Sequence, residues 1–150
     1  MKLAVLMLGA MLCGCATKQG LRMIDVNDAQ RAVWAKPKTT FAPSEPLLAH
    51  IRGYGGRKVT IELWREPNQF CGRITCDIPA RKMYKTREPF VYDTTHRDVR
   101  LVERETVYWT STDYGVKLQP QPPGVYELRL RADDGRNETV KFTVVVTNNL

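Results

Sequence analysis

The chain is 150 residues long, which fits one domain. This length is enough for a hydrophobic core that does not need a structural metal to be stable. Its formal net charge is +7, from 23 Lys and Arg residues against 16 Asp and Glu residues, and the basic residues are spread along the chain. This charge favours anionic partners and argues against an inhibitor of a basic enzyme such as lysozyme. No recognised nucleic-acid-binding motif is present, so we expect no nucleic acid partner.

The first fifteen residues combine a basic start with a short apolar run. Lys2 precedes the run Leu3–Leu12, which at about ten residues is too short to span a bilayer and is typical of a secretory signal. The run ends at Leu12-Cys13-Gly14-Cys15, and polar residues follow. This ending resembles the lipobox of bacterial lipoproteins, in which a leucine stands three before the modified cysteine and a small residue directly before it. Cys13 takes the place of the usual Ala or Ser.

The lipobox resemblance implies that the chain is acylated on Cys15, cut after Gly14 and acylated again on its new amino terminus. The alternative, an ordinary cleaved signal, needs an Ala-x-Ala type of site, which residues 11–14 supply poorly. Each buried methylene contributes about 0.8 kcal/mol, so several acyl chains would make a lasting membrane anchor. Ala16 stands where an Asp would imply inner-membrane retention, so we expect an outer-membrane protein facing the periplasm. The expected divisions are a signal (1–14), a lipidated tether (15–40) and a domain (41–150).

Cys71 and Cys76 are the cysteines that remain beyond the N-terminal motif. In an oxidising periplasm two cysteines this close in sequence are predicted to form a disulfide. A loop this short contributes roughly 2 kcal/mol, so the bond would hold a local turn rather than the whole fold. The alternatives are a metal site, which needs two more ligands, and a redox dithiol, which usually has two residues between its cysteines.

The expected tether has two patches of local structure. Leu21–Val26 is predicted to be extended, and Asn27 or Asp28 is predicted to cap a brief helix over Ala29–Ala35 that ends at Pro37. Trp34 is interpreted as an anchor against the neighbouring domain.

From Phe41 onward the hydrophobic pattern alternates with the period of a β-strand. Leu47–Arg52 and Lys58–Leu63 both alternate, and the Gly-rich connection Gly53–Gly56 makes them a predicted hairpin. Within these runs the alternation places Leu48, His50 and Trp64 outward, with Trp64 as an edge cover or a surface contact. Residues 66–88 have no regular pattern.

The second half of the domain is predicted to add further short strands. These lie at 90–92 and 106–110, and a further strand could begin with Val99 and Leu101. Turns are predicted at Thr112–Gly115 and Gln119–Gly124. In the closing hairpin Tyr126, Leu128 and Leu130 face Val140, Phe142 and Val144 across the turn 133–137, while Arg129, Arg131, Lys141 and Thr143 face water. The predicted fold is all-β: one antiparallel β-sandwich of seven or eight strands.

Four segments of the second half also resemble the C-terminal half of bacterial Ig-like domains, in particular the flagellar-hook-cap type. They are Val107–Thr110, Thr112–Leu118, Pro123–Leu130 and Phe142–Val145. The resemblance implies that Pro123-Gly124 makes a turn, that Tyr126 packs at a strand start and that the final strand closes the sheet. It covers about forty residues and implies an Ig-like sandwich without implying a function.

The sequence contains no recognised catalytic pattern, and we expect neither a catalytic residue, a metal nor a cofactor. Ser44 and Ser111 lie outside any Gly-x-Ser-x-Gly motif. His96, flanked by Asp93 and Asp98, could act as a base or metal ligand but is more simply a polar loop residue. Glu103 and Glu105 are interpreted as an exposed pair rather than a glycosidase dyad.

The candidate binding residues are a basic group and two aromatic residues: Arg81, Lys82, Lys85, Arg87, Trp64 and Trp109. Such residues favour a non-enzymatic module that binds an envelope protein or an anionic cell-wall polymer, and the lipobox resemblance implies that this module is lipid-anchored. The alternatives are a periplasmic inhibitor or exclusion factor, and a hydrolase with an unrecognised site. One patch of basic and aromatic side chains would favour binding, whereas a pocket of carboxylates around His96 would favour an enzyme.

Overall fold

The computed structural model describes residues 20–31, 35–78, 94–97 and 113–146. These residues form a 3-10 helix, Val26–Arg31, and nine strands: β1 (Gly20–Ile24), β2 (Thr40–Phe41), β3 (Leu47–Arg52), β4 (Lys58–Arg65), β5 (Gln69–Asp77), β6 (Thr94–Arg97), β7 (Asp113–Leu118), β8 (Gly124–Ala132) and β9 (Asn137–Val144). Within these ranges no helix has the length and apolar character needed to cross a membrane.

The strands form two sheets. The larger has the order β2-β9-β8-β4-β5-β6 and the smaller the order β1-β3-β7. All pairings between neighbouring strands are antiparallel except the two-residue contact of β2 with β9. The predicted all-β antiparallel sandwich is confirmed. The described ranges hold nine strands, and four of them, β2, β5, β6 and β7, were not predicted as strands from the sequence.

The core lies between the two sheets. Alternate residues of β4 and β8, such as Ile61 and Leu128, are fully buried against Leu47, Ile51 and their neighbours on the smaller sheet. Aromatic rings close one end of this core. Phe142 stacks on Tyr126, with ring centroids 5.4 Å apart, and meets the edge of Phe41 at 5.6 Å.

The closing hairpin has the predicted register. Tyr126 is paired with Phe142 and Leu128 with Val140 across β8 and β9. Gly135 adopts a φ of 90° in the turn, a backbone conformation that glycine adopts without strain. The Tyr126 hydroxyl donates a hydrogen bond to the Pro122 carbonyl at 2.6 Å. A tyrosine at a strand start that bonds to the backbone a few residues upstream is also found in Ig-like sandwiches.

The predicted hairpin of β3 and β4 is wrong, because the two strands belong to different sheets. β3 is buried on both faces from Leu47 to Ile51, as the central strand of the smaller sheet. Its outer face carries Leu48, which packs with Ile24 and Ala35 in a second small cluster. The prediction assumed that this face meets water, as in a hairpin with one solvated side.

His50 was predicted to point outward as an ordinary exposed side chain, and this is also wrong. It is 2% exposed, and its Nδ1 accepts a hydrogen bond from Arg22 Nε at 2.9 Å. Arg22 lies directly opposite His50 in the pairing of β1 with β3. A strand that the sequence analysis placed in a tether therefore supplies the partner of this buried imidazole.

Part of the expected tether belongs to the sandwich. β1 is paired along its whole length with β3, which confirms the extended structure predicted for the start of Leu21–Val26. The helix prediction is wrong in position. The helix begins at Val26, because Asp25 caps it: the Asn27 backbone N–H donates to Asp25 Oδ1 at 2.8 Å.

Two segments predicted to be irregular are strands. β5 occupies part of residues 66–88, and its pairing with β4 shifts by one residue near Cys71, which disturbs the alternation. β7 replaces the predicted turn at Thr112–Gly115. Tyr114, Val116 and Leu118 alternate into the core, and Gly115 is paired opposite His50.

The predicted disulfide between Cys71 and Cys76 is wrong for this fold, because both residues are thiols on the same strand. Five residues of extended chain separate their Cα atoms by about 16 Å, whereas a disulfide needs less than about 7 Å. Cys76 is buried in the core, and Cys71 is partly buried and packs against the core. Burial raises the pKa of the Cys71 thiol, with Arg65 opposing this shift.

Several predictions concern residues outside the described ranges. They are the signal 1–14, Cys15, Trp34, the basic group Arg81, Lys82, Lys85 and Arg87, Trp109, Glu103, Glu105, and the strands predicted at 90–92, 99–101 and 106–110. The interpretation of His96 as a loop residue is wrong, because its backbone lies in β6 and is paired opposite Thr75 at the edge of the larger sheet.

Candidate functional site

The outer face of the larger sheet carries a cluster of charged and aromatic side chains, which we call the outer patch. It is formed by three adjacent strands, β8, β4 and β5, whose alternate residues point away from the core. Its members are Glu62, Trp64, Phe70, Arg73, Arg129 and Arg131.

Glu62 lies at the centre of the outer patch and is only 6% exposed. Its Oε2 accepts a hydrogen bond from Trp64 Nε1 at 3.0 Å. Its Oε1 accepts from Arg73 Nε at 2.9 Å and from Arg131 Nη2 at 2.9 Å. The Glu62 carboxylate therefore orients the indole of Trp64 on its own strand, β4. It also orients two guanidinium groups from the neighbouring strands β5 and β8.

The Glu62 carboxylate is held ionised by these partners. Burial alone raises its pKa, but the hydrogen bonds from Trp64 and Arg73 and the charges of Arg73 and Arg131 oppose it, so that the pKa lies below its ordinary value of 4.5. A buried carboxylate is stable only when it is paired in this way. Its charge in turn fixes both arginine side chains in one geometry.

The aromatic members lie beside this ion cluster. Trp64 and Phe70 meet edge to face, with ring centroids 5.3 Å apart, and Phe70 is 44% exposed. The guanidinium of Arg129 lies 4.7 Å from the Trp64 ring centroid, and that of Arg73 lies 5.7 Å from the Phe70 centroid. Cation–π contacts of this kind hold arginines against a rigid platform.

A shallow depression of about 310 Å³ opens beside the arginines of β8. Its lining is mostly polar and comes from β4, β8 and β9: Glu62, Arg129, Leu130, Arg131, Asn137, Glu138 and Thr139. The outer patch holds three arginines against one carboxylate, so its charge is positive. Two further acids lie beside it: Glu127 accepts a hydrogen bond from Arg129 Nε at 2.6 Å, and Glu138 is part of the lining of the depression. This surface can bind an anion and an apolar face at the same time.

The structure brings together one of the predicted binding residues and several that were missed. Trp64 lies in the outer patch as a surface contact on an internal strand, so it is not an edge cover. The alternation of β8 predicts that Arg129 and Arg131 point outward, but it does not predict that they lie near Trp64. Only the pairing of β4 with both β5 and β8 brings them together.

In the part of the chain described here, no three His, Cys, Asp or Glu residues are grouped as metal ligands. The Nδ1 atom of the buried His50 accepts a hydrogen bond from Arg22 Nε. The best-defined chemical surface of the described residues is therefore the outer patch.

The protein is thus a β-sandwich of two sheets, and the outer face of its larger sheet carries basic and aromatic side chains. No protein-family model matches the chain, and no curated protein is similar to it. Among solved structures, CopC from Methylosinus trichosporium OB3b has a similar arrangement with 15% sequence identity and a TM-score of 0.39. The match covers 75% of this chain and 88% of that one. At this level of similarity the match carries no argument about function.

Proposed function

We propose that this protein is an envelope-anchored, non-enzymatic binding module that holds an acidic envelope partner on the outer face of its larger sheet. The observation that carries the proposal is the outer patch. Arg73 and Arg131 are fixed by a buried carboxylate and remain 45% and 60% exposed at their side chains. Fixed, exposed cations beside an aromatic platform are what recognition of an anionic partner requires.

The proposed anchor is the acylated Cys15, supported by the lipobox resemblance of Leu12-Cys13-Gly14-Cys15. Ala16 supports the outer membrane as its location, with the sandwich in the periplasm. In this arrangement the module is held near the membrane and the cell wall, where phosphates and carboxylates are abundant.

The anchor is tested with Cys15→Ser. The variant should accumulate as an uncut precursor and take up no radiolabelled palmitate, because the thiol that accepts the lipid is missing. Cys71→Ser is the matched control and should be labelled like the wild type. Palmitate uptake by Cys15→Ser would refute the anchor.

The binding role is tested by co-purification of the full chain from detergent-solubilised envelopes. The wild type should retain an envelope component that the double variant Arg73→Gln, Arg131→Gln loses. Arg57→Gln is the control, since it removes an exposed arginine that contacts Asp134 at 3.5 Å, outside the outer patch. Equal retention by all three proteins, or no retained component, would reject the proposed role.

A further inference from the structure

The two arginines around Glu62 retain hydrogen-bonding capacity that the carboxylate does not use. Arg73 Nη2 lies 2.7 Å and Arg131 Nη2 2.9 Å from the same oxygen, Glu62 Oε1. Each guanidinium carries five N–H donors, and Glu62 takes only some of them. The two guanidinium groups therefore meet at one point of the surface, with a positive charge left over after Glu62 is neutralised.

The surface beside this point has the size and polarity of a small polar ligand rather than of a protein partner. The depression, at about 310 Å³, is at the lower end of the range for ligand sites. Asn137 and Thr139 add amide and hydroxyl groups to its rim. Among the described members of the outer patch, Phe70 is the one large apolar side chain with more than a third of its surface exposed, whereas the core of a protein interface is more apolar.

We propose that the outer patch binds an anionic glycan. In this site the carboxylate of a sugar acid is held by Arg131 and Arg73, the sugar ring lies in the depression beside Asn137 and Thr139, and Phe70 offers a ring face to the apolar side of a neighbouring sugar. Glu62 lines the depression and acts as a positioning residue for both arginines, which make the contacts to the sugar carboxylate. This inference rests on the proposed binding role and names the chemistry of its ligand.

Several features support a sugar acid over an acidic peptide. The hydroxyls of Thr60 and Thr75, 3.2 Å apart, and of Thr139 continue the polar surface along the same sheet face. Sugar hydroxyls can both donate to and accept from such groups. The aromatic faces carry partial negative charge, which suits the C–H groups of a sugar ring. An acidic peptide could use the arginines and the polar groups, but its acidic side chains have no ring whose C–H face could cover Phe70.

The ligand class is tested by calorimetric titration of the full chain in detergent micelles. The probes are a hexamer of galacturonic acid, a neutral galactose hexamer and a glutamate hexapeptide of the same charge as the first. We expect binding of the galacturonate hexamer that is at least about tenfold tighter than that of the other two, because only it has both the charge and the rings. Equal affinity for the hexapeptide, or no binding of galacturonate, would overturn the inference.

Variants separate positioning from simple charge. Arg131→Gln should weaken galacturonate binding about tenfold, while Arg57→Gln should change it less than about twofold. Glu62→Gln makes the patch more positive, so attraction by net charge alone predicts tighter binding, whereas loss of positioning predicts weaker binding. We expect it to be weaker, with an unchanged circular dichroism spectrum.

Tighter binding by Glu62→Gln would refute the positioning role. If that variant does not fold, Arg131→Gln against Arg57→Gln still decides the site. An envelope component that co-purifies through Arg73 and Arg131, together with failure to bind galacturonate, would keep the proposed function and reject the glycan.

Discussion

Glu62 shows how neighbouring residues can reverse what a position in a strand suggests. It lies on the solvent side of β4, yet Trp64, Arg73 and Arg131 leave it almost fully buried. The cost of removing a carboxylate from water is offset by hydrogen bonds to donors that remain partly exposed. Its ionised form is therefore favoured by the fold.

This environment predicts a pH dependence of stability. The pKa of Glu62 is lower in the folded than in the unfolded chain, where it is about 4.5, so ionisation stabilises the fold above that pH. The contribution should disappear as pH falls through the lowered pKa. Denaturant melts between pH 7 and pH 3 should show a smaller loss of stability for Glu62→Gln than for the wild type.

Asp25 and Asp134 also have lowered pKa values, so the wild type alone would not isolate Glu62. The difference between the wild type and Glu62→Gln removes their common contribution. Parallel pH curves for the two proteins would contradict the assignment.

Truncation to alanine should change the free energy of unfolding by different amounts on the two faces of β8. Leu128 is fully buried and Val125 is 38% exposed on the outward face. Leu128→Ala should lower the free energy of unfolding by about 2–5 kcal/mol, through lost burial and a cavity. Val125→Ala should change it by less than about 0.5 kcal/mol.

Urea melts of both variants provide the measurement. Equal losses would contradict the register of β8, since a shift by one residue exchanges its two faces. Arg129 is less suitable as the outward control than the sequence suggested, because its guanidinium lies over the Trp64 ring.

At the scale of elements, the extended conformation of β5 prevents Cys71 and Cys76 from forming a disulfide. A strand is extended, so residues five apart cannot approach each other while it stays paired with β4 and β6. The predicted disulfide requires a turn between the two cysteines, but a continuous strand of nine residues contains them both.

Both cysteines should therefore be found as thiols. Protein unfolded without reductant and treated with iodoacetamide should carry one adduct on Cys71 and one on Cys76. Trypsin cuts after Arg73 and so places the two residues in separate peptides, which makes each adduct visible by mass spectrometry. Two peptides joined by a disulfide would show that β5 is not formed as described.

At the scale of the whole molecule, β1 joins the N-terminal region to both sheets. Met23 and Ile24 are about 1% exposed, and the Leu21 backbone N–H donates to Glu138 Oε1 on β9 at 3.3 Å. Glu138 also accepts a hydrogen bond from the hydroxyl of the buried Tyr54, which lies between β3 and β4. The Glu138 carboxylate thus links β1, the connection between β3 and β4, and the closing hairpin of β8 and β9.

A chain that begins at Thr40 should consequently lose the cooperative fold. It lacks β1, which covers one edge of β3. Without β1, Leu48 loses its contact with Ile24, and Glu138 loses the hydrogen bond from the Leu21 backbone N–H. A chain that begins at Gly20 is the control and should unfold cooperatively in a thermal melt followed by circular dichroism. Equal melting temperatures would show that β1 contributes little, contrary to its burial.

Local patterns were sufficient for the fold class and for the closing hairpin. The alternation in Tyr126–Leu130 and Val140–Val144, with Gly135 in the turn, places the strands, their inward faces and their pairing within about twenty residues. These features depend on the period of an extended chain and on a short connection, both of which can be read from neighbouring residues.

The outer patch and the position of β3 depend on contacts between distant parts of the chain. Trp64 and Arg129 become neighbours only because β4 pairs with β8, and His50 becomes buried only because β1 and β7 flank β3. Alternation shows which residues share a face of one strand, but it does not show which strands are adjacent or whether the second face is covered. The sequence by itself therefore determined the fold class, the strands with a regular alternation and the two faces of the closing hairpin. The tertiary structure decided which faces meet, and with them the site, because strand order is chosen by burial summed over the whole molecule.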